Sequence, residues 1–388
     1  MADFVIAGGG IAGIAAALAL AARNHEITVL EQAPAFEEVG AGIQIGPNGR
    51  RALEALDVWD ALEPAVVFPQ SIRVRRARDG AVLGELPLGT TFANRFGTTY
   101  QVVHRADLLA ALVEVAESSP RINLRTGSRV SCYRANDGGM TALLEDGGEQ
   151  DADVLIGADG IRSRIRAQLL DDGPPVFAGH VLYRALVDIE AVPSDVDTTS
   201  VNLWLHEGGH VVHYPVSGGR KFNIVAAVNE NWHSEGWSEP SDGAILGMRF
   251  AAVAEELSEV LALPGEWLRW AGADREPVGQ WGRGPVTLIG DAAHPTLPYL
   301  ASGAVMALED AVVLGQEVER SPANLPAALQ AYEKARQPRT ARIVRSSHRL
   351  AGIYHAGPPL SFFRDVFIRM TSGRRGLERM AWLYDWRP

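Results

Sequence analysis

The sequence predicts an α/β protein: a domain on a parallel sheet, a mainly antiparallel β-sheet inserted into it, and a helical segment at the C-terminus. Three observations predict it. The chain opens on a strand–turn–helix–strand pattern with glycines in its first turn. Further strand–turn–helix patterns recur far downstream, around residues 104–108, 157–166 and 290–295. Between them run stretches in which apolar and polar residues alternate, the period of a half-buried strand.

The opening unit carries the most information. Residues 4–7 are a short apolar run of strand type, 14–22 a strong helix former, and 27–30 a second strand ending at Glu31. Gly8, Gly10 and Gly13 stand in G-x-G-x-x-G spacing in the turn, the dinucleotide fingerprint of a Rossmann-like βαβ unit. Gly8 allows the tight turn, Gly10 lets the backbone approach a pyrophosphate, and Gly13 lets helix and strand pack closely. The helix N-terminus adds free N–H groups and its positive dipole end. Glu31 is placed to accept hydrogen bonds from a ribose diol. The rival reading of uncharged residues 4–22 is a signal peptide or membrane helix. Three consecutive glycines, Asp3 where a basic residue belongs, and the strand and acid that follow argue against it.

The other elements follow in order. Residues 39–48 read as a Gly-rich loop and 49–62 as a helix. Residues 71–102 alternate as strands, with turns at Asp79-Gly80 and Pro87. A helix over 106–117 puts Leu108, Leu109, Leu112 and Val113 on one face. Residues 122–157 read as short strands with Asp-Gly and Gly-Gly turns, ending in apolar strand 154–156. Residues 178–230 are strand-rich, with Ser217-Gly218-Gly219 as a hairpin turn. A helix over 243–261, a buried strand over 286–289, and long helices over 302–317 and 327–350 complete the pattern. The tail, 357–388, is rich in arginine and aromatics. Neither an internal repeat nor a low-complexity tract interrupts it.

At 388 residues the chain has room for two or three domains with ample core. A hydrophobic content of 47% and a mean hydropathy near zero suit a soluble globular protein. The net charge of −11 argues against nucleic acid or an anionic membrane, which need a basic face. It leaves room for a small anion at one local positive spot. Cys132, the one cysteine, excludes internal disulfides and thiolate metal clusters and suits a cytoplasmic enzyme. It reads as a small buried hydrophobe in a strand. The ten histidines show no H-E-x-x-H or similar spacing, so no metal is expected.

Three motifs carry a family likeness: His104-Arg105-Ala106-Asp107-Leu108, Gly157-Ala158-Asp159-Gly160-Ile161-Arg162-Ser163-Arg164-Ile165-Arg166, and Gly290-Asp291-Ala292-Ala293-His294-Pro295. With the N-terminal glycines, and over nearly the whole chain, their order and spacing resemble the class A flavoprotein aromatic hydroxylases, single-component FAD monooxygenases. Residues 294–307 add a closer likeness to the 3-hydroxybenzoate 6-hydroxylase branch, with 6-hydroxynicotinate 3-monooxygenases and salicylate hydroxylases next. The resemblance implies non-covalent FAD, NADH or NADPH as co-substrate, and O2. It implies hydroxylation of a phenolic or hydroxyheteroaromatic ring, a hydroxybenzoate-like acid, through a flavin C4a-hydroperoxide. It also implies a discontinuous FAD-binding domain of residues 1–70, 101–177 and 275–340, a substrate domain of 71–100 and 178–274, and a C-terminal helical segment of 341–388.

Carried over residue by residue, the resemblance puts the FAD pyrophosphate at Gly8, Gly10 and Gly13 and the adenosine ribose at Glu31. Arg105 supports the pyrophosphate or ribityl chain. Asp159-Gly160 serves FAD and nicotinamide. Gly290-Asp291 brings a carboxylate to the ribityl or pyrophosphate region, Pro295 lies close to the flavin ring, and the helix from about Ser302 points its N-terminus at that ring. Each has a plain alternative: Arg105 as a surface arginine, Asp107 as a first-turn acid, Asp159-Gly160 as a turn, Asp291 as a helix cap.

For the substrate pocket, His210, Val212 and Tyr214 share one face of an expected strand, and Val211 and His213 the other. The resemblance implies that His210 deprotonates the substrate phenol, with Tyr214 beside it. A phenolate ring is far more nucleophilic than a phenol, and an imidazole accepts that proton reversibly. The plain alternative, a surface or hydrogen-bonded strand histidine, falls to His213. Gln44 matches the benzoate hydroxylase pattern. Pro298 departs from it, since that pattern has a glutamine there. Tyr299 is a further pocket residue. Arg184 and Tyr183 are expected to open a strand and face either way, so no arginine is assigned to a substrate carboxylate. The partners expected are a small aromatic substrate and O2, without nucleic acid or membrane insertion, and with a homodimer left open. The competing readings are a flavin oxidoreductase of another substrate class and a dinucleotide-binding protein without turnover.

Overall fold

The computed structural model describes residues 1–36, 40–136, 139–234 and 236–388. Val39, the expected start of the Gly-rich loop, lies outside them. Two sheets dominate. The first has six strands in the order Gly282–Arg283, Val286–Leu288, Val154–Gly157, Asp3–Ala7, Glu26–Leu30, Ile122–Arg125. It is parallel except for the hairpin at its first edge. Strand Asp3–Ala7 lies in its interior, so its apolar run is buried on both faces. Helix Ile11–Ala21 is buried almost all round, which is why its sequence carries no polar stripe. It packs with helices Arg105–Glu117 and Gly303–Arg320 around one core.

The second sheet has eight strands: Ser238–Ser241, Trp267–Asp274, Val176–Asp188, Lys221–Asn229, Gly209–Val216, Val201–His206, Ser71–Arg76, Val82–Pro87. All neighbours are antiparallel except Val201–His206 with Ser71–Arg76. The chain thus returns to this sheet after building part of the first. A three-stranded meander and a two-stranded ribbon, Gly42–Ile45 with Gln101–His104, join them.

Several expectations change in detail. Part of the Gly-rich loop is the strand Gly42–Ile45. The helix expected over 49–62 is two, Pro47–Ala55 and Trp59–Leu62, because Asp57 takes a left-handed φ of 57°. The helix expected over 243–261 is also two, Ala244–Arg249 and Glu255–Ala262. Between them the Ala254 N–H donates to Ala77 O at 2.8 Å, which pulls the chain out of the helix. Within 71–102 the strand reading misses helix Thr90–Phe96. Phe92 and Phe96, four apart, are buried against Tyr384. Tyr183 and Arg184 lie in the middle of strand Val176–Asp188 rather than at its start. Cys132 is half-buried rather than buried, because its strand is the edge of the meander. The C-terminal region is helical, Leu325–Tyr354, Leu360–Thr371 and Arg374–Tyr384. Among the described residues no helix is long and apolar enough to cross a membrane.

A buried ion network ties the C-terminal half together. Arg336, 1% exposed, reaches Glu309 at 2.8 Å and Asp310 at 2.6 Å, both fully buried. Asp310 also holds His294 at 2.5 Å and accepts the Gly290 N–H at 3.2 Å. Glu309 accepts from Asn48 and Arg339, each at 2.7 Å. Removing one partner of a buried pair leaves an uncompensated charge. Arg336→Met is therefore expected to cost about 3–5 kcal/mol of unfolding free energy, read from urea denaturation. A loss near zero would mean the carboxylates find other donors.

Candidate active site

A cavity of about 860 Å³ lies between the two large sheets. Among the described residues its wall carries five arginines (Arg105, Arg129, Arg162, Arg164, Arg184) and three carboxylates (Glu31, Asp159, Asp291), in a chain of net charge −11.

At one end stands the glycine turn. Gly8, φ 110°, and Gly10 line the wall. Gly13 lies behind it, where a Cβ would meet Gly8 O at 1.9 Å, so it closes the turn rather than the cavity. Gly10 starts helix Ile11–Ala21 in extended geometry with no side-chain cap. The N–H groups of that first turn are left for a ligand. Glu31 accepts from the N–H groups of Gly9 at 2.6 Å and Ala33 at 2.8 Å, which fixes it at the rim. Asp159 and Gly160 both line the cavity, but the Asp159 carboxylate accepts from Ser163 Oγ at 2.5 Å and the Arg164 N–H at 2.7 Å, capping helix Arg164–Leu170. Arg166, to which the sequence reading gave no role, is fully buried and donates to the carbonyls of Ala292 and Ala293 at 2.9 and 2.8 Å. It thereby anchors the turn Gly290–Ala292. Asp291 is exposed on that turn and accepts no hydrogen bond from the described residues, so it is no helix cap. Burial disfavours the Arg105 charge, and the nearby Asp291 carboxylate partly restores it. Gly290 sits behind the wall, N–H on Asp310.

Pro295 is buried, and Thr296, Leu297 and Pro298 form the wall in its place. Helix Gly303–Arg320 begins beside them, without a side-chain cap, and Ser302, Gly303 and Ala304 line the cavity.

The other end belongs to the eight-stranded sheet. His210, Val212 and Tyr214 line the cavity from one face of strand Gly209–Val216. Leu182 and Arg184, Val225 and Trp270 extend that face across three neighbouring strands. His213 points away, fully buried, accepting the Trp204 indole N–H at 2.9 Å. Tyr214 is buried and Gln44 accepts from the Tyr100 hydroxyl at 2.7 Å in the same wall. Tyr299 is buried just behind, its ring 5.2 Å from that of His210 and its hydroxyl without a partner among the described residues. Arg184 is the cation the sequence left unoriented. Burial lowers its pKa to about 10, its Nε has no partner, and no carboxylate of the described residues pairs with it. The strand pattern hides its orientation because residues on both faces of that strand are buried.

Uncapped helix starts at Gly10 and Ser302, facing one cavity whose described residues include five arginines, suit a dinucleotide whose phosphates lie at one end and whose ring lies at the other. Among the described residues no group of three or more His, Cys, Asp or Glu is placed to hold a metal ion.

Burial, reinforced by charged or histidine neighbours, pushes His210 well below the ordinary histidine value and His213 and His355 down to about 3. Unfolding restores values near 6.5. The unfolded chain therefore binds protons that the fold does not. This stability is complete above about pH 6.5 and is lost as pH falls toward the folded values, by at most about 1.4 kcal/mol per pH unit for each histidine. Unfolding midpoints should drop between pH 7 and 5, less steeply in His213→Gln. A flat profile would contradict the burial argument.

Comparison with known proteins agrees with this geometry. The family described as FAD binding domain matches residues 1–347. The 3-hydroxybenzoate 6-hydroxylase of Polaromonas naphthalenivorans (strain CJ2) is 39% identical over 386 residues, 98% of this chain and 95% of that one. The 3-amino-4-hydroxybenzoate 2-monooxygenase PtmB3 of Streptomyces platensis is 36% identical over 381 residues, 98% and 94% of the two chains. The structure of Klebsiella pneumoniae HpxO complexed with FAD and uric acid superposes with a TM-score of 0.87 at 28% identity, covering 98% of this chain and 97% of that one. The chain belongs to the FAD-dependent aromatic hydroxylases, the class A flavoprotein monooxygenases.

Proposed function

We propose that this enzyme hydroxylates a phenolic acid of hydroxybenzoate type, taking electrons from NADH or NADPH and oxygen from O2. The observation that carries the reading is the convergence of His210, Tyr214 and Arg184, which pairs with no carboxylate of the described residues, on one sheet face, inside the cavity that begins at the glycine turn. Relatives named for hydroxylating hydroxybenzoates support the substrate class.

Gly8 and Gly10 would hold the FAD pyrophosphate and Glu31 the ribose, with Gly13 closing the turn. Arg105 and Asp291 would hold the chain between phosphate and ring, Gly290 and Pro295 would act from behind the wall by placing Asp291 and Pro298, and Asp159, in the wall, would place Gly160. Bound there, FAD supplies electron transfer from the nicotinamide and activation of O2. His210 is neutral and accepts the phenol proton at a ring nitrogen. Burial raises the Tyr214 pKa, so its hydroxyl stays protonated and donates to the substrate oxygen, with Gln44 beside it. Arg184 pairs with the carboxylate. Pro298 offers no donor where the resembled pattern has an amide, so orientation falls to these groups. Leu182, Val212, Val225 and Trp270 keep water from the ring. Tyr299 packs against His210.

His210→Ala should leave flavin reduction intact and lower the hydroxylation rate by about 10²–10⁴-fold, the consumed NAD(P)H emerging as H2O2. His213→Gln should stay coupled. Equal coupling in His210→Ala and the parent removes the base role. Arg184→Met should raise KM for 3-hydroxybenzoate about 10- to 100-fold, the worth of one hydrogen bond to a charged group, and leave the neutral carboxamide unaffected. If FAD affinity falls instead, the cation belongs to the cofactor.

A further inference from the structure

His210 does not stand alone. Its Nδ1 lies 2.9 Å from Nε2 of His355, and Nδ1 of His355 lies 2.7 Å from Oδ1 of Asn229. An amide oxygen only accepts, so His355 carries its ring proton on Nδ1. Burial and the neighbouring His180 keep His355 neutral, so that is its one ring proton. Its Nε2 is then an acceptor, and the proton between the rings sits on His210 Nδ1. His210, neutral as well, is left with a lone pair on Nε2, the nitrogen open toward the cavity it lines.

The backbone builds this row. His355 ends helix Leu325–Tyr354, its N–H bonded to Ala351 O at 3.1 Å. Gly208 lies in the turn between strands Val201–His206 and Gly209–Val216. It donates its N–H to His355 O at 3.0 Å and accepts the Asn229 N–H on its own oxygen at 2.8 Å. One turn residue thus fixes His355 and Asn229 together, and His210 follows two residues later. Tyr299 and Tyr354 pack on the His210 ring at 5.2 and 5.5 Å, and His180 packs edge-on against His355 at 4.9 Å.

We propose that His355 is a positioning residue for hydroxylation: backed by Asn229, it locks His210 in the tautomer whose Nε2 lone pair meets the substrate phenol. The proposal rests on the reading of His210 as the base. It gives a role to a residue 145 positions away in the chain.

The test uses the FAD-loaded enzyme with histidines labelled in 15N, resonances being assigned by single replacements. At pH 7 the His210 ring should carry its proton on Nδ1 alone. His355→Phe should leave that ring in a mixture of tautomers. With 3-hydroxybenzoate it should slow hydroxylation by about 10²-fold, without slowing flavin reduction. His355→Gln, which can accept from His210 and donate to Asn229, should restore both tautomer and coupling. Asn229→Leu, at an exposed position, provides a second variant that spares the core, and it too should mix the tautomers. A parent His210 protonated on Nε2, or an unchanged tautomer in both His355→Phe and Asn229→Leu, overturns the proposal. His210→Ala, assayed alongside, separates the two readings. If it stays coupled, His210 is not the base, whereas the tautomer spectra report on His355 directly.

Discussion

Glu309 and Asp310 are adjacent carboxylates with no exposure to water, and Arg336 stands between them almost as deeply buried. Taking such charges out of water is costly, and mutual attraction offsets the cost only when the remaining oxygen and nitrogen sites are also filled. That requirement recruits distant chain segments: Asn48 from the second helix, Gly290 and His294 from the turn after the parallel strands, and Arg339 from the long C-terminal helix. Arg339 passes the constraint on by donating to the carbonyls of Trp382 and Leu383. The cavity wall from Asp291 to Ala304 lies over this network, so cofactor end and C-terminus take their positions from one set of ions.

The substrate end rests on a different constraint, the twofold period of a strand. Strand Gly209–Val216 is buried on both faces, so apolarity alone does not orient it. What orients it is pairing. Val212 and Arg184 both stand opposite Val225, and the cavity-lining face continues from strand to strand. A slip of one residue would turn His210 away from the cavity and His213 toward it, at a different point of the wall.

What was legible in the sequence follows from locality. The glycine turn, its strands and Glu31 sit within about thirty residues and declare themselves by spacing alone. The pairing of His210 with Tyr214 needs only alternation, and the structure has both on the cavity face. What stayed hidden depends on long-range partners. Helix Thr90–Phe96 forms against Tyr384. Asp159 is drawn to its helix cap by Ser163, which spacing permits but does not compel. Arg166 reads as one more arginine in an arginine-rich motif until its two carbonyl partners, at Ala292 and Ala293, come into view. Pro295 lies in the right loop yet behind the surface, because side-chain direction within an irregular turn has no period to read.

The cavity joins the glycine turn near residue 8 to a helix start near residue 303 and to strands between them. A ligand bound across it touches segments that only the folded chain brings together, so it binds the native state and not the unfolded one. The free energy of unfolding then rises with the logarithm of free cofactor over its dissociation constant, about 2.7 kcal/mol at a hundredfold excess. A bound cofactor in this way lowers the fraction of unfolded chain open to proteolysis, as well as supplying the chemistry.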